Sequence, residues 1–402
     1  MNKVIIIGAG VSGITCGIEL KKRGIDVLVL ENLKTSLKKV LVTGNGRCNY
    51  WNENFSSSFF YSDDKNFINN VISEDNKNKI KGFFDSIGLV GTVKNGYFYP
   101  MSMQASSVRN MLLEEVKRLK LEIINDCKVE KVEKTSNGFR VLCNDKTFSC
   151  DNVVVACGSH AYYKEKSLGY EICKDLGHRI VPVLPSLVQL VGEGNYFKNW
   201  AGVRSNSIVS ILVDNKKIKE EQGEIMLTDY GVSGICIFNI STIASISLNN
   251  NKKVKVLINF LPEINDLKSY FDLRSKTIPS INISSFLESL VNYKLVNTIL
   301  DLVKIDKSSH WSDLSLDEKD KLCKYLSSFE VVITSTKSFD SAQVCSGGVD
   351  TREINYNTME SKIVPHLYVV GEVLDVVGDC GGYNLGFAFI SGYIAGRSVK
   401  ND

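Results

Sequence analysis

Apolar residues fall in short runs closed by glycine turns at both ends of this chain, and alternate with polar residues through its middle. Residues 4–7 (VIII) form a continuous β-branched run, which predicts a buried strand. Val11, Ile14 and Ile18 follow at spacings of three and four, one face of a helix, and residues 27–30 (VLVL) predict a second strand. Residues 62–90 are polar and partly helical in pattern, and residues 104–121 predict an amphipathic helix with Val108, Met111, Leu112, Val116 and Leu119 on one side. Short strands are expected at residues 127–134, 139–144, 146–150 and 152–157, the first three as a small meander. From residue 187 to 262 the alternation predicts mainly strands, and from 263 to 328 mainly helices. Ser315 with Glu318 forms a capping box in that helical part. The chain closes as it opens, with an apolar run at 367–370, glycines, and a helix carrying Phe387, Ile390 and Ile394. The pattern implies an α/β protein with one discontinuous domain, residues 1–186 and 338–402, interrupted by an inserted part at 187–337.

Chemistry enters at the first turn. Gly8, Gly10 and Gly13 stand in the order G-x-G-x-x-G between strand and helix, and Glu31 ends the second strand. Each glycine has a mechanical role. Gly8 permits a tight turn, Gly10 lets the backbone approach a pyrophosphate, and Gly13 allows close helix–sheet packing. The helix start offers unpaired N–H groups and a positive dipole end to phosphate, and Glu31 stands where a carboxylate accepts from ribose hydroxyls. A dinucleotide site is the reading. Thr43, Gly44, Asn45, Gly46, Arg47, Cys48 and Asn49 then form a glycine-rich loop with several donors and one cation.

Composition narrows the field. A net charge of +3 spread over 402 residues leaves no basic tail, so nucleic acid is not an expected partner; the KKVKV stretch at Lys252 reads as the start of an exposed strand. No apolar run approaches the ~20 residues of a membrane span, and the first strand begins too early for a leader, so a cytoplasmic protein with a small-molecule substrate is expected. The eleven cysteines include no C-x-x-C pair, so no metal is expected and reduced thiols are the default. The four histidines show no ligand or triad spacing, and His178 is expected to pack or bond locally.

Two glycine-rich helix starts, one at each end of the chain, suit FAD better than a nicotinamide nucleotide. One would serve the pyrophosphate and the other the electron-rich edge of the flavin. No second G-x-G-x-x-G unit is present, so NADH or NADPH, if it is the donor, would bind transiently across the open flavin.

The segments KKVLVTGNGRCN, GEIMLTDYGVSG, AQVCSGGVD, TMESK and LYVVGEVLDVVGDCGGYNLGFAFISGYIAG make the resemblance specific. In that order, over nearly the whole chain, they resemble a bacterial family of NAD(P)/FAD-dependent oxidoreductases of the bile-acid-inducible reductase and aminoacetone-oxidase-like type. The resemblance implies a Rossmann-like, two-dinucleotide-binding-type FAD domain with an inserted β-barrel-like and helical domain. It implies FAD contacts at Gly8, Ala9, Gly10, Val11, Ser12, Gly13, Glu31 and Asn32, throughout the loop 43–49, and at Val129 for the adenine. It further implies Gly158 beside the cofactor, and Gly371, Glu372, Gly381, Gly382, Tyr383, Asn384 and Leu385 along the ribityl chain and flavin. The chain departs from the family pattern in ACGS at 156–159, Asp229, Ile235 and Gly386.

The chemistry expected is hydride transfer from NAD(P)H through flavin to an activated C=C bond in a small hydrophobic substrate, for which the resemblance, rather than any signature in the sequence, suggests the steroid or bile-acid dienone type. A flavin oxidase or dehydrogenase of a small amine or acid, and a non-catalytic or RNA-associated flavoprotein, are the alternatives. Asn45, Arg47, Tyr383 and Asn384 are candidate donors to developing negative charge, or else residues that hold FAD or the loop. Cys48 and Cys380 are read as structural or cofactor-lining thiols.

Overall fold

A computed structural model describes residues 3–144, 146–161 and 167–400. The chain divides into two compact units, Met1–Leu184 with Val344–Asp402, and Pro185–Gln343.

The first unit is built on a five-stranded, all-parallel sheet in the order Leu367–Val369, Asn152–Val155, Lys3–Ile7, Asp26–Leu30, Glu122–Ile124. The first strand is central, with strands on either side entered from opposite directions along the chain. The topological switch point, and with it the ligand crevice of an open α/β sheet, therefore lies at its carboxyl end. Val4, Ile5 and Ile6 have no exposed surface, as in a parallel sheet covered on both faces, and both the first helix and strands of the meander contact these central strands. The first helix, Val11–Lys22, buries ten of its twelve residues rather than one stripe. The reason is the last helix, Tyr383–Ser398, which packs against it, so that the first helix is enclosed between sheet and helix. The expected meander is present as Val129–Thr135, Gly138–Cys143 and Lys146–Cys150, antiparallel throughout.

The second unit contains a closed six-stranded barrel, in the order Leu190–Gly192, Gly231–Ser233, Lys216–Leu227, Arg204–Val213, Val254–Asn259, Phe329–Thr336. Between the fifth and sixth of these strands lie the helices Leu267–Thr277, Ile283–Glu288, Tyr293–Val303 and Leu316–Ser327. The last begins with the predicted capping box: Glu318 N–H donates to Ser315 Oγ and Ser315 N–H to Glu318 Oε2.

Two expectations are corrected. The stretch 235–249, expected within a mainly strand region, is a fifteen-residue helix, Ile235–Asn249. Its isoleucines and threonine suit a strand locally, but Ile237, Ile240 and Ala244 are fully buried at helical spacing, and packing against the barrel strands overrides propensity. Cys127 and Cys143 form a disulfide, against the expectation of eleven reduced thiols. Cys143 pairs across the meander with Val129, two residues after Cys127, and the register brings the two Cα atoms to 5.9 Å. Among the described residues no helix is long and apolar enough to cross a membrane, and no group of three His, Cys, Asp or Glu side chains could hold a metal ion.

Candidate dinucleotide site

The glycine turn behaves as its spacing requires. Gly8 has φ +107°, and a side chain there would meet Ala156 O at 2.4 Å. A side chain on Gly13 would meet Gly8 O at 2.0 Å, so that glycine lets the helix close onto the turn. Gly10 differs: a Cβ there would meet nothing within 4 Å among the described residues. It caps the first helix in extended conformation, with φ −78°, so neither backbone strain nor protein packing asks for glycine. The open space in front of Gly10, at a helix start with unpaired N–H groups, is a cradle that a Cβ would begin to fill. That fits a pyrophosphate at this turn.

Glu31 braces the cradle. Its Oε2 accepts from Ala9 N–H at 2.6 Å and its Oε1 from Leu33 N–H at 2.8 Å. Glu31 N–H donates to Ile124 O and its carbonyl accepts from Cys127 N–H, both at 2.9 Å, which brings the start of the meander, and so Val129, beside it. Val129 is buried, while Asn32 is exposed.

From the other side, Leu37 N–H donates to Ala9 O at 2.9 Å and delivers Lys39 to the turn. Lys39 Nζ lies 2.8 Å from Glu372 Oε2. Glu372 follows Gly371, whose φ is +74° and whose Cβ, were there one, would meet Ser12 Oγ at 2.5 Å. Gly371 N–H donates to Ser391 Oγ on the last helix. Gly158, also left-handed at φ +70°, lies within 4.0 Å of Glu372 Oε2, measured from its ideal Cβ. Thus Gly8, Ala9, Gly10, Val11, Ser12 and Gly13 come together with Gly158, Gly371 and Glu372. Lys39 joins them unpredicted: it sits in the KKVLV segment, but nothing in local spacing marks its partner 333 residues away.

The loop 43–49 is clamped and strained. Val40 and Cys48 are buried at its ends, while Leu41, Val42, Gly44, Asn45, Gly46 and Arg47 are exposed. Asn45 (φ 54°) and Cys48 (φ 57°) are left-handed without being glycine, a cost sustained only where surroundings over-determine the backbone. Cys48 N–H donates to Thr43 O, and burial pushes the Cys48 thiol up to about 11, away from nucleophilic use at neutral pH. Asn49 ties the loop to the last helix: its amide donates to Trp51 O at 2.8 Å and Phe98 O at 3.2 Å, and accepts from Gly382 N–H at 3.2 Å. Gly382 starts that helix at φ 88°, and a Cβ on it would meet Trp51 O at 2.6 Å. Asn52 Nδ2 holds Gly381 O at 2.9 Å. The segments 43–49 and 378–386 therefore meet.

The four candidate donors separate. The Tyr383 hydroxyl donates to Asn54 O at 3.2 Å, and its buried ring stacks on Phe59. Asn384 accepts from Gly378 N–H and donates to Gly378 O, both at 2.8 Å, closing the turn before the helix. Both side chains hold the fold rather than face a substrate. Leu385 is partly buried against the core. Asn45 and Arg47 are exposed, and the Arg47 guanidinium has no hydrogen-bond or ion-pair partner among the described residues. His178 is buried and bonds to Glu353 Oε2 at 2.9 Å and Ser361 Oγ at 2.8 Å, partners 175 and 183 residues away rather than local ones. In the other unit a cavity of about 280 Å³ is bordered by Arg204, Asn206, Phe260, Glu263 and Asn292, and by none of the residues expected to hold a cofactor.

Sequence reasoning also missed Asp375, in the segment LDVVGDC. It is 7% exposed and accepts from Gly347 N–H at 3.1 Å. Burial, with Asp63 and Asp350 nearby, raises its carboxyl from 3.8 to about 6. The folded chain then holds this proton more tightly than the unfolded chain. The stabilisation is complete below pH 3.8 and is lost as pH rises through about 6. Asp375→Asn, which keeps the acceptor, is expected to gain up to about 3 kcal/mol over the parent at pH 8 and little at pH 4. Urea unfolding at both pH values checks this; a pH-independent difference would refute it.

The model of the HI0933-like protein Rossmann domain matches residues 2–398. The chain is 37% identical to the 3-dehydro-bile acid delta(4,6)-reductase of Clostridium scindens, over 99% of both chains. It is 26% identical to the ribosomal RNA dihydrouridine synthase of Escherichia coli, over 98% of this chain and 97% of that one. A 3-ketosteroid-delta4-(5alpha)-dehydrogenase from Rhodococcus jostii, solved with 4-androstene-3,17-dione, shares the fold at TM-score 0.51 and 13% identity, over 99% of this chain and 96% of that one.

Proposed function

This chain belongs to the HI0933-like family of FAD Rossmann oxidoreductases, and from that premise we propose that it is an NAD(P)H-driven reductase of an activated C=C bond in a polycyclic 3-oxo-diene of the bile-acid type. The observation that carries the reading is 37% identity, over 99% of both chains, to a reductase of that substrate class. FAD, when bound, supplies a two-electron carrier that accepts hydride from the nicotinamide and passes it to carbon. In the overall reaction NAD(P)H is oxidised, one carbon of the C=C bond gains hydride, and its neighbour gains a proton.

The chain's own contribution is binding and polarisation. Gly8, Gly10 and Gly13 with the first helix start hold the pyrophosphate, Glu31 the ribose, and Glu372 with Gly158 and Gly371 the hydroxylated chain. Arg47 and Asn45 present donors from a clamped loop, suited to a carbonyl oxygen that gathers charge as hydride arrives. The exposed Leu41 and Val42 beside them suit an apolar substrate body. The second relative supports a narrower alternative. Forming dihydrouridine also saturates a ring C=C bond conjugated to a carbonyl, so a uracil base within RNA is the runner-up substrate.

The test is anaerobic. NADH or NADPH is expected to bleach the bound flavin, and a 3-oxo-4,6-diene bile acid to restore its colour with loss of the dienone absorbance. Flavin that stays oxidised with both nucleotides ends the reductase reading. Reduction by a small amine or acid, with peroxide formed in air, would favour an oxidase. Reoxidation by uridine-containing RNA alone would favour the second substrate.

A further inference from the structure

Glu372 is half satisfied. Its Oε2 is paired with Lys39 at 2.8 Å, while its Oε1 is buried with no hydrogen-bond partner among the described residues. Leaving a buried carboxylate oxygen unpaired is costly, so the arrangement is complete only with a donor from outside the chain. The rest of the residue is held firmly. Tyr170 OH donates to its carbonyl at 3.3 Å, and the preceding Gly371 is packed on Ser12 and bonded to Ser391. Only the carboxylate can turn, and Lys39 decides how. The Lys39 side chain is 29% exposed and comes from the segment bonded to Ala9 of the glycine turn. Lys39 and Glu372 therefore approach the cradle from its two sides. A neutral polyol chain offers the hydroxyl donors that Oε1 lacks; a phosphate offers none and would be repelled.

We propose that Lys39 is a positioning residue for the cofactor: it pins Glu372 Oε2 and so presents Oε1 as an acceptor to the hydroxylated chain of FAD. Lys39 acts through Glu372 and not by touching the cofactor. This rests on the reading that the cradle takes FAD.

The experiment is a double-mutant cycle on FAD affinity, read by fluorescence quenching when FAD is titrated into apo-protein. Lys39→Gln is expected to raise the dissociation constant roughly 10- to 100-fold, the range of a lost charge-assisted hydrogen bond. Glu372→Gln is expected to weaken binding similarly, and the double variant no further than Glu372→Gln alone. Lys39→Arg, which keeps the cation, is expected to stay within about threefold of the parent. The melting temperature of each apo-protein reports folding, and FAD release from each holoprotein gives the same comparison if an apo form is unstable. Additive losses would place Lys39 directly on the cofactor and overturn the proposal, as would unchanged affinity in Lys39→Gln. A parent that binds no FAD would overturn the FAD reading itself, whereas a parent that binds while the cycle shows no coupling overturns only the role of Lys39.

Discussion

Gly10→Ala is expected to leave the apo-protein folded and to weaken FAD binding at least about 100-fold, a loss of about 2.7 kcal/mol. The fold has no objection to this methyl group. Gly10 has φ −78°, an ordinary value for alanine, and a Cβ there meets nothing within 4 Å among the described residues. What the methyl takes is the space into which the helix N–H groups point, so the cost falls on the ligand alone. Gly13→Ala is the contrasting case. Its Cβ would lie 2.0 Å from Gly8 O, a backbone atom within the same turn, and no side-chain rotation can relieve the overlap. Gly13→Ala should therefore lose both folding stability, by about 3 kcal/mol or more, and cofactor. Apo-protein melting and FAD titration on the two variants separate the effects. If Gly10→Ala keeps full affinity, the pyrophosphate does not lie at this turn.

The second large effect is expected at the crossing of the first and last helices. Gly392→Val would place a Cβ 2.2 Å from Ser12 O, on the backbone of the first helix. That helix cannot retreat, since its other side lies on the central strands and ten of its residues are buried. A loss of at least about 3 kcal/mol in urea unfolding is expected, with coupled loss of FAD, because Ser391 on the same helix holds Gly371 N–H. Gly82→Ala is the control. Gly82 is exposed within the helix Glu74–Ser86 and its Cβ would meet nothing, so alanine there is expected to gain roughly 0.5–1 kcal/mol. A Gly392→Val protein as stable as the parent would show that the helices do not cross backbone to backbone.

Legibility followed the range of the interactions. The first strand, glycine turn, helix and second strand could be read because each step is a contact within about thirty residues, and strand and helix periods differ. The capping box at Ser315 was readable for the same reason, its bonds closing within three residues. The helix Ile235–Asn249 was not, since its β-branched residues argue for a strand and only the barrel it packs on decides otherwise. Among the donor candidates, residue type alone could not tell Tyr383 and Asn384, whose polar atoms are spent on Asn54 and Gly378, from Arg47, whose guanidinium is not. The Cys127–Cys143 disulfide lay beyond spacing because it follows from strand register.

By itself the sequence determined the strand, glycine turn and helix that suit a dinucleotide, because the glycines and Glu31 state a local backbone geometry and a local charge. It also determined the parallel α/β class, through short apolar runs separated by helices. Only the tertiary structure decided which side chains remain available there. The pairing of Lys39 with Glu372, the bracing of Ala9 by Glu31, the raised carboxyl of Asp375 and the junction of Asn49 with Gly382 all join segments distant in the chain. Burial and partnership are properties of the packed interior, where a polar atom's cost depends on neighbours that no local pattern specifies.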